Sequence, residues 1–322
     1  MRPTPVQLDA LDERTLSHIA PTTVRYIKLG PNGAWFERCI RDSLLELGHS
    51  SVPHELAVKG DRTEIEQFLQ SQGRTPGKAK DFAREILDFY TLGDDALWIT
   101  IGAGKLWWAF AEAGVNVATA EGGGARSRQV IGAWRDTDVA GAPLRLETLS
   151  TRLTKVAAYR QTVCKVEAQD YLLRRINAVI DPAVLEAQAA RTRLIASAQH
   201  LIATLDWRDF EVLVDLIFAG SGWRRASGVG GSDQADSDLI LEQPATGEKA
   251  LIQVKSAASK AVLADYVERF RASGLDRMFL ACHTPSGALS SELPNVHVWL
   301  GERLAEQAVR AGLFDWLLEK AR

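Results

Sequence analysis

A strand–turn–strand pattern in the last third of the chain constrains its fold more than any other feature. The apolar run after Asp238 is separated by the turn Pro244–Glu248 from a second run, which ends at Lys255. Side chains alternate between the two faces of a strand, so Gln253 and Lys255 are expected on one face and Val254 on the other. The spacing is enough for two short strands and a turn. We therefore expect a β-hairpin that brings an acid close to a Gln-x-Lys tripeptide.

This combination of groups suits the metal-assisted hydrolysis of a phosphodiester. Such a reaction needs oxygen ligands for a hard cation and a positive group near the attacking water. The acid on one strand and the Gln-x-Lys on its partner supply both, and the backbone carbonyl of Val254 can reach the same cation. A polar edge strand is the alternative explanation, because Gln-x-Lys alone is common by chance.

The sequence on either side of the hairpin alternates between helical and strand patterns. An amphipathic helix is predicted from Trp207 to Phe218. The segments after the hairpin read as helix, strand, strand and helix: Val262–Ala272, Arg277–Cys282, Val296–Leu300 and Ala305–Lys320. The fold class predicted for the chain is α/β, or α+β overall.

Four separate segments carry a resemblance to a known family. They are Trp207-Arg-Asp-Phe-Glu211-Val-Leu-Val, Gly222-Trp223, Gly230-Gly231 to Asp238, and Ile252-Gln253-Val254-Lys255. In this order, over roughly residues 205–285, they resemble the Mrr-like family of the PD-(D/E)xK nuclease superfamily. The resemblance implies a mixed sheet flanked by helices and DNA cleavage that depends on Mg²⁺ or Mn²⁺.

The resemblance also implies roles for individual residues. Asp238 matches the metal-binding acid, and Gln253 stands in place of the second acid as a neutral oxygen ligand, with the Val254 carbonyl beside it. Lys255 matches the lysine that orients or activates water and stabilises the developing charge. Glu211, on the preceding helix, is expected to be an auxiliary metal or water ligand, although a helix glutamate is often only solvated.

The segment before the acid departs from the family pattern. The family often has a Gly-Asp-Gly-Gly run there, whereas this chain has Gly-Ser-Asp233-Gln-Ala-Asp236-Ser-Asp238. We choose Asp238 among the three acids because it adjoins the apolar strand, where placement is most rigid. With Gln253 in place of an acid, the site has one negative charge fewer, so metal affinity is expected to be weaker.

A chain of 322 residues exceeds the usual ~100–200 residues of one domain, so two domains are expected. We predict an N-terminal arm at 1–21, a recognition domain at 22–178 and a nuclease domain at 205–322. Residues 179–204 are Ala-rich and favour a helix, which serves either as a linker or as the first helix of the second domain.

Composition argues against a membrane partner and does not decide whether the chain binds nucleic acid. The formal net charge is −3, which does not argue for DNA and does not exclude it, because acidic sites offset basic grooves. No run of about 18 apolar residues is present, so no membrane partner is expected. Three scattered cysteines and the lack of an apolar leader suit a reducing cytoplasm.

The first half of the chain is rich in tryptophan. We predict a strand from Thr22 to Gly30, a helix from Trp35 to Leu47 and a hairpin around Gly102–Gly104. Three pieces of the sequence resemble PUA-like or EVE-like domains. They are the segment that begins at Tyr26, the helix that ends near Gly48, and Gly93–Trp98. That resemblance implies a small β-barrel with helices and an aromatic pocket for a flipped, modified base.

Four tryptophans are the candidate base-binding residues: Trp35, Trp98, Trp107 and Trp108. Each is alternatively a core residue. Arg126, Arg128 and Arg135 are candidates for phosphate contacts or are merely solvated. His49 and His54 have no partners at metal-binding spacing and are expected to be structural.

The leading hypothesis is a DNA endonuclease that restricts modified or foreign DNA in prokaryotic (antiviral) defence, in the manner of type IV restriction. One cutting site per chain favours a homodimer. Two alternatives stay open: an effector nuclease activated by a small nucleotide in the N-terminal domain, and a DNA-binding protein whose nuclease fold has decayed. The sequence does not give the recognised base, the cleavage position, the trigger or a preference between DNA and RNA.

Overall fold

The computed structural model describes residues 18–117, 126–226 and 239–322. The chain divides into two compact units, Met1–Asp181 and Pro182–Arg322. The Ala-rich segment forms a helix, Pro182–Ala203, that belongs to the second unit. Its buried residues Ile195, Ala198 and Ile202 join the core of that unit, so the helix acts as a first helix of the domain.

The first unit alternates short helices and strands. Its strands are β1 (Thr23–Ile27), β2 (Leu44–Leu47), β3 (Ala96–Gly102), β4 (Lys105–Phe110), β5 (Asn116–Val117), β6 (Arg126–Gln129) and β7 (Val163–Lys165). Its helices are α1 (Phe36–Arg41), α2 (His54–Lys59), α3 (Arg62–Ser71), α4 (Pro76–Thr91), α5 (Thr151–Thr154) and α6 (Gln169–Ile176).

These strands form two sheets. One has the order β4-β3-β1-β7, with β1 and β3 parallel and the other neighbours antiparallel, and the second has the order β2-β6-β5. A single bridge between Ala111 and Val130 connects the ends of β4 and β6. No closed barrel occurs among the residues described, so the predicted PUA-like barrel stays a prediction.

The predicted helix from Trp35 to Leu47 is wrong in its second half. The helix ends at Arg41, and residues 44–47 form β2, which pairs with β6. Ser43 adopts a left-handed conformation with φ of 52°, which ends the helix and turns the chain. The run of leucines fits either element, and pairing with β6 decides in favour of the strand.

The four-stranded sheet is buried on both faces. Trp98 and Phe89 lie in a core on the side of α4, while Trp108 and Tyr26 lie in a second core with residues of α6. The hairpin of β3 and β4 was predicted correctly. Its strands supply side chains to both cores because successive residues point to opposite faces.

Two arginines of β6 are buried. Arg128 is fully buried and donates to the carbonyls of Glu112 (2.5 Å), Ala111 (3.0 Å), Phe89 and Gly93 (both 3.2 Å). Arg126 is also buried and donates to the carbonyls of His49 and Val52. The expectation that these two contact phosphates or are solvated is therefore wrong, because both guanidinium groups are buried and donate to backbone carbonyls of the fold.

Gly102 provides a test of packing in this unit. A Cβ at this position would overlap the ring of Phe36, which also contacts Trp107 edge to face at 5.9 Å. Gly102→Ala is expected to lower the free energy of unfolding by about 1–3 kcal/mol, because the rings must move. Urea unfolding followed by tryptophan fluorescence measures this.

Gly77→Ala is the matched control, because a Cβ there would have no heavy atom within 4 Å and the position lies in α4. This change is expected to leave stability unchanged or to raise it by about 0.4–1 kcal/mol. Equal midpoints for Gly102→Ala and the wild type would contradict the packing described.

The described residues of the second unit, 182–226 and 239–322, form one sheet and five helices. Its helices are α7 (Pro182–Ala203), α8 (Trp207–Gly220), α9 (Lys260–Ser273), α10 (Gly301–Arg310) and α11 (Phe314–Lys320). Its strands are β8 (Arg224–Arg225), β9 (Leu239–Gln243), β10 (Glu248–Ala258), β11 (Arg277–Pro285) and β12 (Val296–Leu300). None of the helices that the structure describes, in either unit, is long and apolar enough to cross a membrane.

The sheet of the second unit is mixed and has helices on both faces. Its order is β12-β11-β10-β9-β8, with β10, β11 and β12 parallel and β8 and β9 antiparallel. Helices α7, α8, α10 and α11 pack on the face that carries Ala250 and Ile252, and α9 packs on the face that carries Leu251. The predicted mixed sheet flanked by helices is confirmed.

Candidate active site

Gln253 and Lys255 lie on the central strand β10, between β9 and β11. Alternation places both on the face of Leu251, which is the face covered by α9. The ammonium nitrogen of Lys255 lies 5.7 Å from the ring centroid of Tyr266 on that helix. The structure therefore places the two side chains on one face, as the hairpin pattern predicted.

The amide of Gln253 is buried and incompletely satisfied. The residue is 4% exposed, and its Nε2 atom has no hydrogen-bond partner among the described residues. Such a group costs about 1–3 kcal/mol when it is left unpaired, so a partner is expected either from residues outside the described ranges or from a bound ligand. Rotation of the amide exchanges its nitrogen and its oxygen, and the oxygen is the kind of ligand that a hard cation takes.

The peptide carbonyl of Val254 is the second oxygen donor of the predicted site. The last described pair between β10 and β9 is Ile252 with Leu239, so Val254 lies beyond the described part of that pairing.

The predicted acid Asp238 lies outside the described residues, as do Asp233, Asp236 and Gly230-Gly231. Asp238 immediately precedes Leu239 in the sequence. In the part of the chain that the structure describes, no three His, Cys, Asp or Glu side chains form a group able to hold a metal ion. The described oxygen donors that suit Mg²⁺ or Mn²⁺ are the amide of Gln253 and the carbonyl of Val254.

Glu211 lies on the other side of the sheet. It is exposed on α8, directly after the fully buried Phe210, and α8 packs on the face opposite Lys255. Glu211 and Gln253 are both described by the structure, and they form no hydrogen bond or ion pair with each other. Its assignment as an auxiliary ligand therefore stays a prediction.

His283 is a residue that the sequence analysis did not select. It lies near the end of β11, one residue after Cys282, which pairs with Lys255. Its Nδ1 atom is 2.8 Å from the hydroxyl of Thr284, and its Nε2 atom is buried and has no partner in the part of the chain that is described. Burial lowers the pKa of this imidazole, so the neutral form dominates at pH 7. Only its position directly after Cys282, the residue paired with Lys255, would have indicated His283 as a candidate.

The tryptophans of the first unit differ in accessibility. Trp98 and Trp108 are fully buried, and the indole N–H of Trp108 donates to the carbonyl of Thr137, so neither ring presents a face to a base. Trp35 and Trp107 are only partly buried and remain the base-stacking candidates.

His49 and His54 of the first unit have protein partners. His49 Nε2 lies 2.8 Å from Glu85, and His54 Nδ1 lies 3.0 Å from the Tyr90 hydroxyl, as expected for structural residues.

Comparison with known proteins gives a match to a family model. Residues 202–280 match the model of the Mrr catalytic family, which is described as restriction endonuclease, and this segment lies within the second unit. The predicted resemblance of the C-terminal domain is confirmed, and the match supports a restriction-endonuclease-like nuclease domain. No curated protein and no solved structure matches the chain. The PUA-like resemblance of the first unit stays a prediction.

Proposed function

We propose that the protein is a metal-dependent DNA endonuclease whose second unit cuts the phosphodiester. The observation that carries the proposal is that Gln253 and Lys255 share one face of the central strand within the segment that matches the restriction endonuclease family. The buried Nε2 atom of Gln253 supports it, because this atom has no partner among the described residues at the place where a ligand is expected.

Asp238 is the proposed acid. The register of β9 and β10 pairs Leu239 with Ile252, so one further pair of the same ladder would set Asp238 against Gln253. Directly opposed residues of an antiparallel pair project to the same face. That face is the one that carries Lys255.

The residues of this chain would bind the cation and position the water. Asp238, the Gln253 amide and the Val254 carbonyl would hold Mg²⁺ or Mn²⁺, with Glu211 as an auxiliary ligand. When bound, such an ion polarises the phosphate and lowers the pKa of water. Lys255 would orient the attacking water and place a positive charge beside the oxygens of the phosphate, where negative charge develops.

The first unit would select the DNA. Its half-buried Trp35 and Trp107 are the candidates for stacking on a flipped, modified base, which needs aromatic faces and a few donors. Joined to a nuclease unit, such a reader suits type IV-like restriction of modified or foreign DNA in prokaryotic (antiviral) defence, in the cytoplasm. Cutting both strands with one site per chain favours a homodimer.

The experiment is the incubation of the full chain with unmodified plasmid and with plasmid carrying modified cytosines, in Mg²⁺, Mn²⁺ or EDTA. Cutting that EDTA abolishes supports the nuclease, and faster cutting of the modified plasmid supports the reader.

Gln253 in place of an acid favours one alternative, a decayed nuclease that binds DNA only. Binding without cutting in every condition would replace the proposal by that alternative, and cutting only after addition of a small nucleotide would favour an activated effector.

The charge of the site gives a further prediction. Gln253→Glu adds one negative charge beside the proposed cation, so half-maximal cleavage is expected at an approximately tenfold lower Mg²⁺ concentration, equivalent to about 1.4 kcal/mol. A Mg²⁺ titration of the cleavage rate measures this.

Gln243→Glu on β9 is the control, because Gln243 contacts the Ser221 carbonyl far from the strand centre and its change should leave the Mg²⁺ requirement unaltered. An unchanged Mg²⁺ requirement in Gln253→Glu would remove Gln253 from the proposed metal site.

A further inference from the structure

Trp207 is the most exposed tryptophan that the structure describes. It is the first residue of α8 and is 52% exposed, whereas Trp223, Trp299 and Trp316 of the same unit pack against its core. Tryptophan is enriched at the contact surfaces of proteins, because its side chain offers a large apolar ring and a hydrogen-bond donor. This surface is small, so the chemistry of its partner has to be inferred from the residues next to Trp207.

Arg208 provides a positive charge on this surface, and the exposed acids Asp206 and Glu211 lie near it in the sequence. Its guanidinium carbon lies 4.9 Å from the centroid of the Trp207 ring. Its side chain forms no hydrogen bond or ion pair within the described ranges, although its backbone N–H is bonded to the Asp206 side chain. A guanidinium that stacks on a ring keeps its N–H donors at its edges, where a phosphate can accept from them.

The position of these two residues relates them to the proposed active site. Phe210, in the same turn of α8, contacts His283 edge to face with ring centroids 4.7 Å apart. His283 follows Cys282, which pairs with Lys255 across the parallel strands. Trp207 and Arg208 thus lie near the carboxyl ends of β10 and β11, the edge at which open α/β sheets bind ligands.

We propose that Trp207 and Arg208 form a DNA-contacting surface at the carboxyl end of the sheet, on α8, which packs on the face opposite Lys255. In this surface the indole stacks on a base and the guanidinium pairs with a phosphate of the same strand. The inference rests on the proposed nuclease function and adds a positioning surface to it. An aromatic ring with an adjacent cation fits a nucleotide, because every base has a π-face and every linkage carries a negative charge.

The experiment measures the affinity of the full chain for a fluorescent DNA duplex with a single-stranded end, in Ca²⁺, over a range of salt concentrations. Trp207→Ala is expected to weaken binding by about 5- to 150-fold, the factor that corresponds to the loss of one stacked base. Trp207→Phe is expected to keep most of the affinity. Arg208→Ala is expected to reduce the slope of log K against log salt concentration by about one, as for the loss of one phosphate contact.

Val212→Ala is the control, because Val212 is 47% exposed on the same helix and carries neither a ring nor a charge. Unchanged binding by Trp207→Ala, or an equal loss in Trp207→Ala and Trp207→Phe, would overturn the stacking surface. If the wild type still cuts plasmid, the proposed function survives that result. A wild type that neither binds nor cuts DNA would overturn both.

Discussion

Replacing Lys255 with alanine is expected to reduce the rate of DNA cleavage by about 10²–10³-fold, the usual effect of removing one preorganised electrostatic group. Lys255 lies beside Gln253 on β10 and is the cation proposed to face the phosphate. Its side chain is half-buried against Tyr266, so its loss removes charge at a fixed position. Single-turnover cleavage of a plasmid at saturating Mg²⁺ measures the effect.

Lys249→Ala is the matched control for this prediction. Lys249 lies on the same strand, is exposed, and is close to the turn that joins β9 and β10. Its replacement removes the same charge from the chain and should leave the cleavage rate within about twofold, as for a surface change away from the site. Equal rates for Lys255→Ala and Lys249→Ala would show that the reaction does not use Lys255.

Arg128→Ala is expected to give the largest loss of stability in the first unit, about 3–5 kcal/mol. The guanidinium is fully buried and bonds four carbonyls, so its removal leaves those acceptors unpaired beside a cavity. It also lies 5.7 Å from the ring of Trp98. Burial lowers the pKa of Arg128 to about 10, which still leaves it charged at neutral pH.

Urea unfolding at pH 7 measures this loss. Arg62→Ala is the control, because Arg62 is exposed and forms only an i,i+4 ion pair with Glu66, which contributes about 0.3–0.5 kcal/mol. If Arg128→Ala unfolds at the wild-type midpoint, the four carbonyl contacts do not hold the unit together. Retained metal-dependent cleavage by a destabilised Arg128→Ala would show that the second unit acts without a stable first unit.

Local patterns were sufficient to predict most elements of the second unit. Alternation in β10 and the turn before it fixed the hairpin, and the helical spacing of Phe210 and Ile217 fixed the buried face of α8. These features depend on residues near one another in the sequence. The relation between Gln253 and Lys255 could be predicted for the same reason, because it depends only on the two-residue period of a strand.

Contacts between distant segments could not be predicted. Arg128 looks like a surface residue in the sequence, and only the carbonyls of Phe89, Gly93, Ala111 and Glu112 make its burial possible. The same is true of His283, which follows Cys282, the partner of Lys255, and whose ring contacts Phe210 of α8. Register between parallel strands depends on tertiary packing, and a sequence motif does not contain it.

Glu211 combines a feature that local sequence predicts with one that depends on contacts between distant segments. The Phe-Glu pair was correctly placed on a helix before the hairpin, and Phe210 is buried as its spacing predicted. Which end of the sheet the glutamate reaches depends on how α8 packs, and α8 lies on the face opposite Lys255.

The most direct test of the central claim is plasmid cleavage by the wild type and by Asp238→Asn, each with Mg²⁺ and with EDTA. The substitution keeps the shape of the side chain and removes its charge. We predict that the wild type nicks and linearises the plasmid only with Mg²⁺, and that Asp238→Asn has the same unfolding midpoint and cuts at least about 10²-fold more slowly. Wild-type cleavage rates in a folded Asp238→Asn protein would contradict a centre formed by Asp238, Gln253 and Lys255.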